Sequence, residues 1–352
     1  MRFIGNKENL VPSIYQILLT KDIGGNSLFD VFTGTTNVAK FFKRKNYQVF
    51  SCDLLYFSYV LQRAYLENNE ELTFEKLLNK LQVKNYSLFT SPLQNVIDFL
   101  NALPMREGFI YQNYTPEGTK NLVQPRLYFS NENGKIIDAI RQQIEDWQLE
   151  NLLMQNEYFT LLACLIETVP FYANISGVYA AFHKKWDSRA LKKLQLRIIE
   201  TVINKQTNSV YHDNSINLLE SIKADIFYLD PPYNQRQYAP NYYLLETIAR
   251  YDNPVIKGIS GMRDYQQQKS LFCNPQTALQ ELTKIASQGQ FSTLVLSYNS
   301  EGIMPQEQII ETLSLQGKVE LVEFDYLRFK SNSQGINKKF IKEQLYILKN
   351  EK

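Results

Sequence analysis

The chain has few of the residues that build metal centres or disulfide scaffolds. Its 352 residues include only three cysteines and two histidines. The cysteines lie far apart, which excludes a CxxC metal knuckle and a disulfide framework, and two histidines are too few for a His-based zinc site. We therefore expect no metal. We interpret these five residues as structural in a reducing, cytoplasmic setting: Cys52, Cys164, Cys273, His183 and His212.

Long apolar stretches and a large net charge are also missing. No run of about 18 apolar residues is present, so the sequence predicts no membrane span. The opening segment, MRFIGNKENL, carries charges and no apolar run, so it does not resemble a signal peptide. The formal net charge of +2 is too small to identify a polyanionic partner. Hydrophobic residues at 44% and charged residues at 21% are typical of a globular protein and exclude wholesale disorder.

Aromatic residues, in contrast, are abundant. The chain has 23 tyrosines and 21 phenylalanines, and aromatic residues make up 13% of it. This exceeds what a core alone would require, so we expect many of them to face a ligand or partner. The segment over residues 108–135, rich in Tyr, Asn, Gly and Pro, is predicted to be irregular with exposed aromatic side chains.

The order of predicted elements indicates an α/β fold with one insertion. Residues 1–69 alternate strand, helix and strand, which is typical of a right-handed βαβ unit with a parallel sheet. Residues 70–208 are mostly helical and interrupt this alternation, so we interpret them as an inserted domain. Residues 209–352 restore the strands. They end in two alternating segments, 318–330 and 340–350, which predict an antiparallel hairpin at the sheet edge.

Hydrophobic patterns give the approximate bounds of the other elements. Strands are predicted over residues 27–32, 47–53, 209–212, 225–230 and 291–299. Helices are predicted over residues 9–19, 38–45, 54–68, 73–81, 93–102, 136–150, 151–168, 242–250 and 275–287.

The most specific motif is the run Asp230-Pro231-Pro232-Tyr233, directly after an apolar strand. In open α/β sheets, ligands bind beyond the carboxyl ends of the strands. Neither proline has an N–H, so the loop is stiff and offers the Asp230 carboxylate and the Pro231 carbonyl as acceptors without donors. Such a pair suits a planar substrate with an exocyclic amino group, on which the Tyr233 ring stacks. The plain structural alternative is a strand end followed by a Pro-Pro turn.

A second motif, DVFTGTTN over residues 30–37, ends the first strand and opens a helix. Its single glycine, Gly34, allows a tight turn before the helix N-terminal amides, as in loops that hold nucleotides. Asp53 ends the next strand, where an acid often takes ribose hydroxyls. A generic strand–turn–helix with a surface Asp fits this pattern nearly as well. The N-terminal FIGNK, residues 3–7, has no meaning by itself.

Together these motifs resemble the Dam-like, alpha-type family of adenine-specific DNA methyltransferases. FIGNK is similar to the family's aromatic-x-Gly-x-Lys element, DVFTGTTNVA to its D-x-F-x-G-T-G loop, and LDPPYNQRQYAPNYYLLETIARYD to its catalytic loop and following helix. Phe3 replaces the family's usual Trp or Tyr, and Thr36 stands where the family usually has a second glycine. The resemblance implies a Rossmann-like, mostly parallel methyltransferase sheet with a largely helical inserted target-recognition domain.

The resemblance also implies an activity. It is S-adenosylmethionine-dependent methylation of the N6 amino group of adenine in a specific double-stranded DNA sequence, by base flipping, with a restriction endonuclease as functional partner. The catalytic residues would be Asp230, Pro231, Pro232 and Tyr233. The residues contacting S-adenosylmethionine would be Phe3, Lys7, Phe32, Gly34, Asp53, Asp230 and either Asp213 or Asn214, with Lys7 facing its carboxylate and Asp53 its ribose.

DNA contacts are expected from basic and amide side chains. On a helix, Lys185, Arg189, Lys192 and Lys193 would share a face that binds phosphates or is simply solvated. The candidate DNA-binding residues are Lys184, Lys185, Arg189, Arg236, Gln237, Tyr238 and Arg263, the last four lining the entrance for the target base. Side chains within residues 111–126 suit the reading of base edges, although an ordinary loop fits equally well.

Three other functions remain open at this point. DPPY-type loops also occur in enzymes that methylate an amino group in RNA, although the large middle block favours DNA recognition. Cytosine amino methylation is less favoured, because its loop more often starts with Ser. The third alternative is a non-catalytic DNA-binding relative that has lost its cofactor, which the intact Asp230 and Tyr233 disfavour.

Overall fold

The computed structural model describes residues 5–82, 90–327 and 340–350, with the backbone alone for residues 325–327, 340 and 341. These residues form two compact units. The sheet unit consists of the described residues of Ile4–Gln62, Val202–Ala239 and Gln266–Lys352. The helical unit consists of the described residues of Arg63–Thr201 and Pro240–Tyr265. The boundaries differ from the predicted blocks because the helix after the DPPY loop clusters with the middle of the chain.

The strands carry the alternating or continuously apolar segments of the sequence. Within the described residues they are β1 (Ser27–Asp30), β2 (Gln48–Asp53), β3 (Ser209–His212), β4 (Lys223–Leu229), β5 (Ile256–Lys257), β6 (Met262–Arg263), β7 (Gln290–Asn299), β8 (Gly317–Leu327) and β9 (Phe340–Asn350). The main sheet has the order β3-β2-β1-β4-β7-β9-β8, while β5 and β6 pair separately. The pairs from β3 to β7 are parallel, and β9 is antiparallel to both β7 and β8. This confirms the predicted mostly parallel sheet with an antiparallel C-terminal hairpin.

The helices follow the predicted segments closely, with two additions. Within the described residues they are α1 (Val11–Thr20), α2 (Asn37–Arg44), α3 (Tyr56–Gln62), α4 (Glu75–Lys80), α5 (Pro92–Asn101), α6 (Phe109–Tyr114), α7 (Asn131–Leu149), α8 (Gln155–Thr168), α9 (Ala239–Arg250), α10 (Ala278–Gln288) and α11 (Gln306–Ser314). The sequence did not predict α6 or α11. The predicted helix over 54–68 continues from α3 into a π-helical turn, Arg63–Glu67.

The core of the sheet unit lies between the sheet and the helices packed on it. Phe29 of β1 and Phe227 of β4 meet edge to face with ring centroids 5.1 Å apart. Both are fully buried, together with Leu282 and Ile285 of α10. Burying each such side chain contributes roughly 1.5–3 kcal/mol relative to leaving it exposed. The sheet is therefore a firm support for the loops that leave its strand ends.

The aromatic side chains of residues 108–135 are buried, apart from the half-buried Phe109, so the prediction of exposed aromatics there is wrong. Tyr114, Tyr128 and Phe129 have no exposed surface. The Tyr114 hydroxyl donates to the Gly261 carbonyl at 2.7 Å, and the Tyr128 hydroxyl donates to the Tyr179 carbonyl at 2.9 Å. Each tyrosine thus buries its ring while its hydroxyl satisfies a backbone group, which a local reading of polarity cannot reveal.

No helix in the described parts of the chain is both long enough and apolar enough to cross a membrane. The cysteines Cys52, Cys164 and Cys273 are free and buried.

Candidate active site

Three aspartates lie at the carboxyl ends of neighbouring parallel strands in the sheet unit. Asp30 ends β1, Asp53 ends β2, and Asp230 directly follows β4. β1 lies between β2 and β4, with Asp30 in register with Ser51 and Tyr228. The order of the strands reverses here, and in open α/β sheets such a switch point forms the crevice that ligands occupy. The fold therefore brings three carboxylates to the place where a ligand would bind.

A buried lysine and a buried glutamate complete the surroundings of Asp230. Lys7 Nζ lies 3.4 Å from Asp230 Oδ1 and also pairs with Glu343 of β9. The Ser297 hydroxyl donates to Glu343 Oε1 at 2.6 Å. The side chain of Asp230 is 19% exposed, whereas those of Lys7 and Glu343 are 9% and 3% exposed. One ammonium group is thus shared by two carboxylates, of which Asp230 is the more accessible.

Burial and crowding of charge shift the pKa values in this cluster. Burial raises the pKa of Asp230 to about 7; the positive charge of Lys7 opposes this rise, and the charge of Glu343 adds to it. Burial, followed by the charge of Asp230, raises the pKa of Asp30 to about 8. Burial lowers the pKa of Lys7, but the two neighbouring carboxylates outweigh it and raise that pKa to about 12. Strongly perturbed acids gathered in one crevice are typical of functional sites.

The DPPY loop is held rigidly after β4. Pro231 is buried and Pro232 is half-buried, and neither offers an N–H group. The Tyr233 carbonyl accepts a hydrogen bond from the Ile303 N–H at 3.0 Å, and the Tyr233 side chain packs against the hydrophobic core. The loop therefore presents the acceptors of Asp230 and Pro231 from a fixed backbone.

The loop between β1 and α2 is shaped by Asp53. Gly34 has a φ of 53°, and its N–H donates to Asp53 Oδ2 at 2.8 Å. Asp53 Oδ1 accepts from the Leu55 N–H at 2.8 Å, and the Ser58 hydroxyl donates to the Gly34 carbonyl at 2.6 Å. Both oxygens of Asp53 thus already hold the backbone of the crevice. Its predicted contact with a ribose stays a prediction.

Thr36 occupies a backbone conformation that favours glycine. It precedes α2 with a φ of 65°, is fully buried, and its hydroxyl donates to the Thr35 carbonyl at 2.6 Å. A β-branched residue is strained in this left-handed region. Such a conformation favours the glycine that the family named above usually has at this point. This chain forms the same turn with a threonine.

The remaining predicted cofactor contacts have separate surroundings. Phe32 is half-buried and meets Phe272 edge to face at 5.0 Å. Asp213 is exposed and accepts from the Asn214 N–H at 2.6 Å, while the side chain of Asn214 caps the next turn. Phe3 lies outside the described residues.

The comparison with known proteins decides the family. The family described as D12 class N6 adenine-specific DNA methyltransferase matches residues 3–311. The chain belongs to this family. It is 36% identical to modification methylase StsI of Streptococcus sanguinis, over 99% of the chain and 52% of that protein. It is 39% identical to type II methyltransferase M.FokI of Planomicrobium okeanokoites, over 94% of the chain and 50% of that protein.

A further relative matches over nearly its whole length. Type II methyltransferase M.NlaIII of Neisseria lactamica is 37% identical, over 94% of the chain and 93% of that protein. The chain spans about half the length of StsI and M.FokI. These relatives and the D12 family confirm the predicted resemblance to adenine-specific methyltransferases of the restriction–modification kind.

Three predicted DNA contacts follow the DPPY loop of this member of the D12 family. Arg236 is exposed. The amide of Gln237 exchanges two hydrogen bonds with the Ser270 backbone, at 3.0 Å and 2.8 Å. Tyr238 is half-buried, and a Cβ placed on Gly5 would lie 3.1 Å from its hydroxyl. Arg236 is therefore the most accessible of the three.

Arg263 is engaged within the helical unit. Its guanidinium donates to both oxygens of Asp252, at 3.0 Å and 2.7 Å, and its side chain is 10% exposed. This bidentate pair joins the strand β6 to the segment that follows α9. A role of Arg263 in binding DNA stays a prediction and would require a change of partner.

The basic segment over residues 184–197 is not a helix, so the helical face expected there is wrong. Buried side chains hold its backbone instead. Asn133 Nδ2 donates to the carbonyls of Ala190 and Lys192, at 3.1 Å and 2.9 Å, and Asn133 Oδ1 accepts from the Leu194 N–H at 2.8 Å. These tertiary hydrogen bonds outweigh the helical propensity of the segment. The basic residues therefore do not form the predicted row.

The individual basic residues of this segment differ in their availability. Lys184, Lys185, Lys192 and Lys193 are exposed. Arg189 is paired with Asp187, and hydrogen bonds from Arg189 lower the pKa of Asp187 to about 2. Lysine side chains, rather than Arg189, are thus the accessible cations here.

Sequence reasoning missed two members of the Asp230 cluster. Glu343 and Ser297 lie on β9 and β7, far along the chain from the motifs. Glu343 is in register with Asn299 because β9 runs antiparallel to β7, so the start of β9 lies beside the carboxyl end of β7. Glu343 stands between the polar residues Lys342 and Gln344 in the sequence, so no local signal singles it out. Among the residues that the structure describes, no group of three His, Cys, Asp or Glu side chains is arranged to hold a metal ion.

Proposed function

We propose that this D12 methyltransferase transfers a methyl group from S-adenosylmethionine to N6 of adenine in a specific double-stranded DNA sequence. The observation that carries the proposal is the position of Asp230. It stands at the switch point of the sheet beside Asp30, in a loop whose prolines offer no competing donor. A planar base with an exocyclic amino group is the substrate that such a loop suits best.

The crevice has a place for the cationic end of S-adenosylmethionine. Asp30 Oδ1 is buried without a hydrogen-bond partner among the described residues, while its Oδ2 accepts from the Ala39 N–H at 3.3 Å. A buried acceptor without a donor is costly, and an ammonium group would satisfy it. We therefore propose that Asp30 faces the amino group of the cofactor. The other residues proposed to hold the cofactor are Phe3, Lys7, Phe32, Gly34, Asp53 and Asp213 or Asn214.

The protein's own contribution to the reaction is orientation and charge. The cofactor supplies an electrophilic methyl group when bound. Adenine N6 is a poor nucleophile because its lone pair is delocalised into the ring. The Asp230 carboxylate and the Pro231 carbonyl would accept hydrogen bonds from its two N–H groups. These hydrogen bonds favour a pyramidal nitrogen with an available lone pair. Asp230 then takes the released proton and passes it to water, a task suited to a pKa of about 7.

A paired base cannot reach this loop inside a duplex. We propose that the target adenine is flipped out, which costs a few kcal/mol. Stacking on Tyr233 offsets about 1–3 kcal/mol of that cost. Exposed Lys184, Lys185 and Arg236 would bind phosphates, while Arg189, Gln237, Tyr238 and Arg263 would first have to exchange their present partners. We also propose functional pairing with a restriction endonuclease, in line with the relatives named as modification methylases.

The first test replaces the reacting carboxylate. Asp230→Ala should lower methyl transfer to duplex DNA by at least about a hundredfold, because the acceptor that orients N6 is lost. DNA binding should persist, since the substitution removes no cation. Transfer is measured with labelled S-adenosylmethionine, and sequencing of modified adenines in the host genome identifies the site.

The matched control is Asp225→Asn, on the same strand but at its opposite end. Asp225 accepts hydrogen bonds from the backbone and hydroxyl of Ser27, at 3.0 Å and 2.8 Å, and belongs to the support of the sheet. Its variant should retain most of the activity. Near-normal turnover by Asp230→Ala would refute the assigned role, and transfer to RNA in preference to DNA would refute the substrate.

A further inference from the structure

Glu343 is a buried carboxylate that the reaction outlined above does not use. Its side chain is 3% exposed. A carboxylate held out of water needs compensating partners, and Glu343 has two: the ammonium of Lys7 and the hydroxyl of Ser297, which donates to Oε1 at 2.6 Å. Glu343 is therefore held in a fixed position at the edge of the Asp230 cluster.

Lys7 is also fixed by its own backbone. Its carbonyl accepts from the N–H groups of Leu10 and Val11, at 2.7 Å and 2.9 Å, at the start of α1. From there its ammonium reaches both carboxylates, but the contact with Glu343 is the closer one, and Asp230 Oδ1 lies 3.4 Å away. Glu343 thus competes with Asp230 for a single positive charge.

We propose that Glu343 is a positioning residue for methyl transfer: it anchors Lys7 on its own carboxylate and so leaves Asp230 free to accept the hydrogens of the target amino group. This inference rests on the proposed function. Without Glu343, the ammonium would move onto Asp230 and occupy the oxygens that the substrate needs. Glu343 acts through Lys7 and contacts no reacting atom.

The charged groups around Asp230 determine the direction of the expected effect. Lys7, ahead of α1, favours the carboxylate form of Asp230, whereas Glu343 on β9 disfavours it. The charges of Asp230 and Asp30, at the end of β1, disfavour each other. On β4, burial and then the charge of Asp230 raise the pKa of the Tyr228 phenol. Loss of the Glu343 charge should therefore lower the pKa of Asp230, and loss of Lys7 should raise it.

The test is the pH dependence of kcat for the intact chain with duplex DNA and S-adenosylmethionine. In Glu343→Gln, which preserves shape, the acid limb should move to lower pH by roughly one unit. The plateau of kcat should fall about tenfold, as the ammonium blocks an acceptor. In Lys7→Met the acid limb should move the opposite way. Glu343→Asp keeps the charge and should restore the wild-type limb.

A double variant separates positioning from a general structural role. If Glu343 acts through Lys7, Glu343→Gln should cause no further fall in the kcat plateau in the Lys7→Met background, because no ammonium remains to occupy Asp230. The matched control is Glu281→Gln, which removes another buried glutamate paired with a lysine, Lys284, on α10. It should leave the limb in place.

The outcomes are distinct from those that test the proposed function. A wild-type chain that never methylates adenine would overturn the function itself. An active wild-type chain whose acid limb is unmoved in Glu343→Gln, or moves in the same direction as in Lys7→Met, would overturn the role of Glu343. If Glu343→Gln does not fold, the signed shift in Lys7→Met and the rescue by Glu343→Asp still decide the question.

Discussion

Buried polar side chains are used differently in the two compact units. In the helical unit they satisfy backbone groups. Asp138 accepts from the N–H groups of Gly108, Ile110 and Tyr111 at 3.0, 2.9 and 2.8 Å. Arg141 donates to two carbonyls at the end of α9, at 3.1 Å and 3.2 Å. The charges of Asp138 and Arg141 are thus compensated by backbone groups of the same unit.

In the sheet unit the buried polar side chains at the strand ends face one another instead. Asp230 and Glu343 share one ammonium, and the nearby Asp30 Oδ1 has no hydrogen-bond partner among the described residues. Burial first, and then the charges of neighbouring carboxylates, raise the pKa values of Asp30 and Asp230. The difference teaches that burial alone does not mark a functional residue. Buried charges crowded together do mark one, because the fold tolerates their cost where chemistry requires it.

The largest effect on stability is expected in the helical unit, where the side chain of Asn133 holds a backbone segment that forms no helix. Asn133→Ala removes three hydrogen bonds to the backbone near residues 190–194 and leaves those groups buried. We expect the free energy of unfolding to fall by about 2–4 kcal/mol. Urea denaturation measures this loss, and hydrogen exchange should show the opening of residues 184–198.

The matched control for this substitution is Asn217→Ala in the sheet unit. Asn217 is exposed, and its amide donates to the carboxylate of Asp213. Its variant should change stability by less than about 0.5 kcal/mol. If both variants cost the same, the contrast between the units does not hold.

A smaller effect on stability should depend on pH, and it tests whether Asp30 keeps its proton in the folded chain. The pKa of Asp30 is raised from 3.8 to about 8 in the folded chain, so the folded state retains a proton that the unfolded state releases. The stability linked to this proton is complete at low pH and is lost as pH rises toward 8. Asp30→Asn should therefore gain stability relative to wild type between pH 5 and about 8.

Thermal unfolding of both proteins at a series of pH values measures this difference. Asp225→Asn, at the opposite end of β4, serves as the control for the loss of a carboxylate from the sheet unit. A constant difference between Asp30→Asn and wild type at all pH values would mean that Asp30 is not held protonated by its neighbours.

The smallest effect on stability is expected for the ion pair of Arg263 with Asp252. Breaking this pair tests whether Arg263 also binds DNA. Asp252 is partly exposed, so breaking the pair should cost only about 0.5–1 kcal/mol. Arg263→Ala and Asp252→Ala should lower stability equally. If Arg263 also binds DNA, its variant alone should weaken binding and reduce the salt dependence of the binding constant. Equal DNA binding by both variants would confine Arg263 to the structural pair.

Prediction from sequence was accurate where local pattern and tertiary packing agree. The strands that surround Asp230 and Asp53 carry continuous or alternating apolar residues, which locate them from neighbours along the chain. It failed for residues 184–197, where distant Asn133 holds the backbone, and for Tyr114 and Tyr128, whose polar ends find carbonyls across the unit. It also missed α6, because that short helix is begun by the carboxylate of Asp138 rather than by a local cap.

Neighbours along the chain are sufficient to predict the parallel strands, the stiff DPPY corner and the aspartates at the ends of β1, β2 and β4. The tertiary structure alone decided which charges meet. The antiparallel path of β9 brings Glu343 to the strand ends, and the segment before α1 brings Lys7 to the same place. Local patterns carry no information about such encounters, because the energy of a buried ion pair depends on distances between residues remote in the chain.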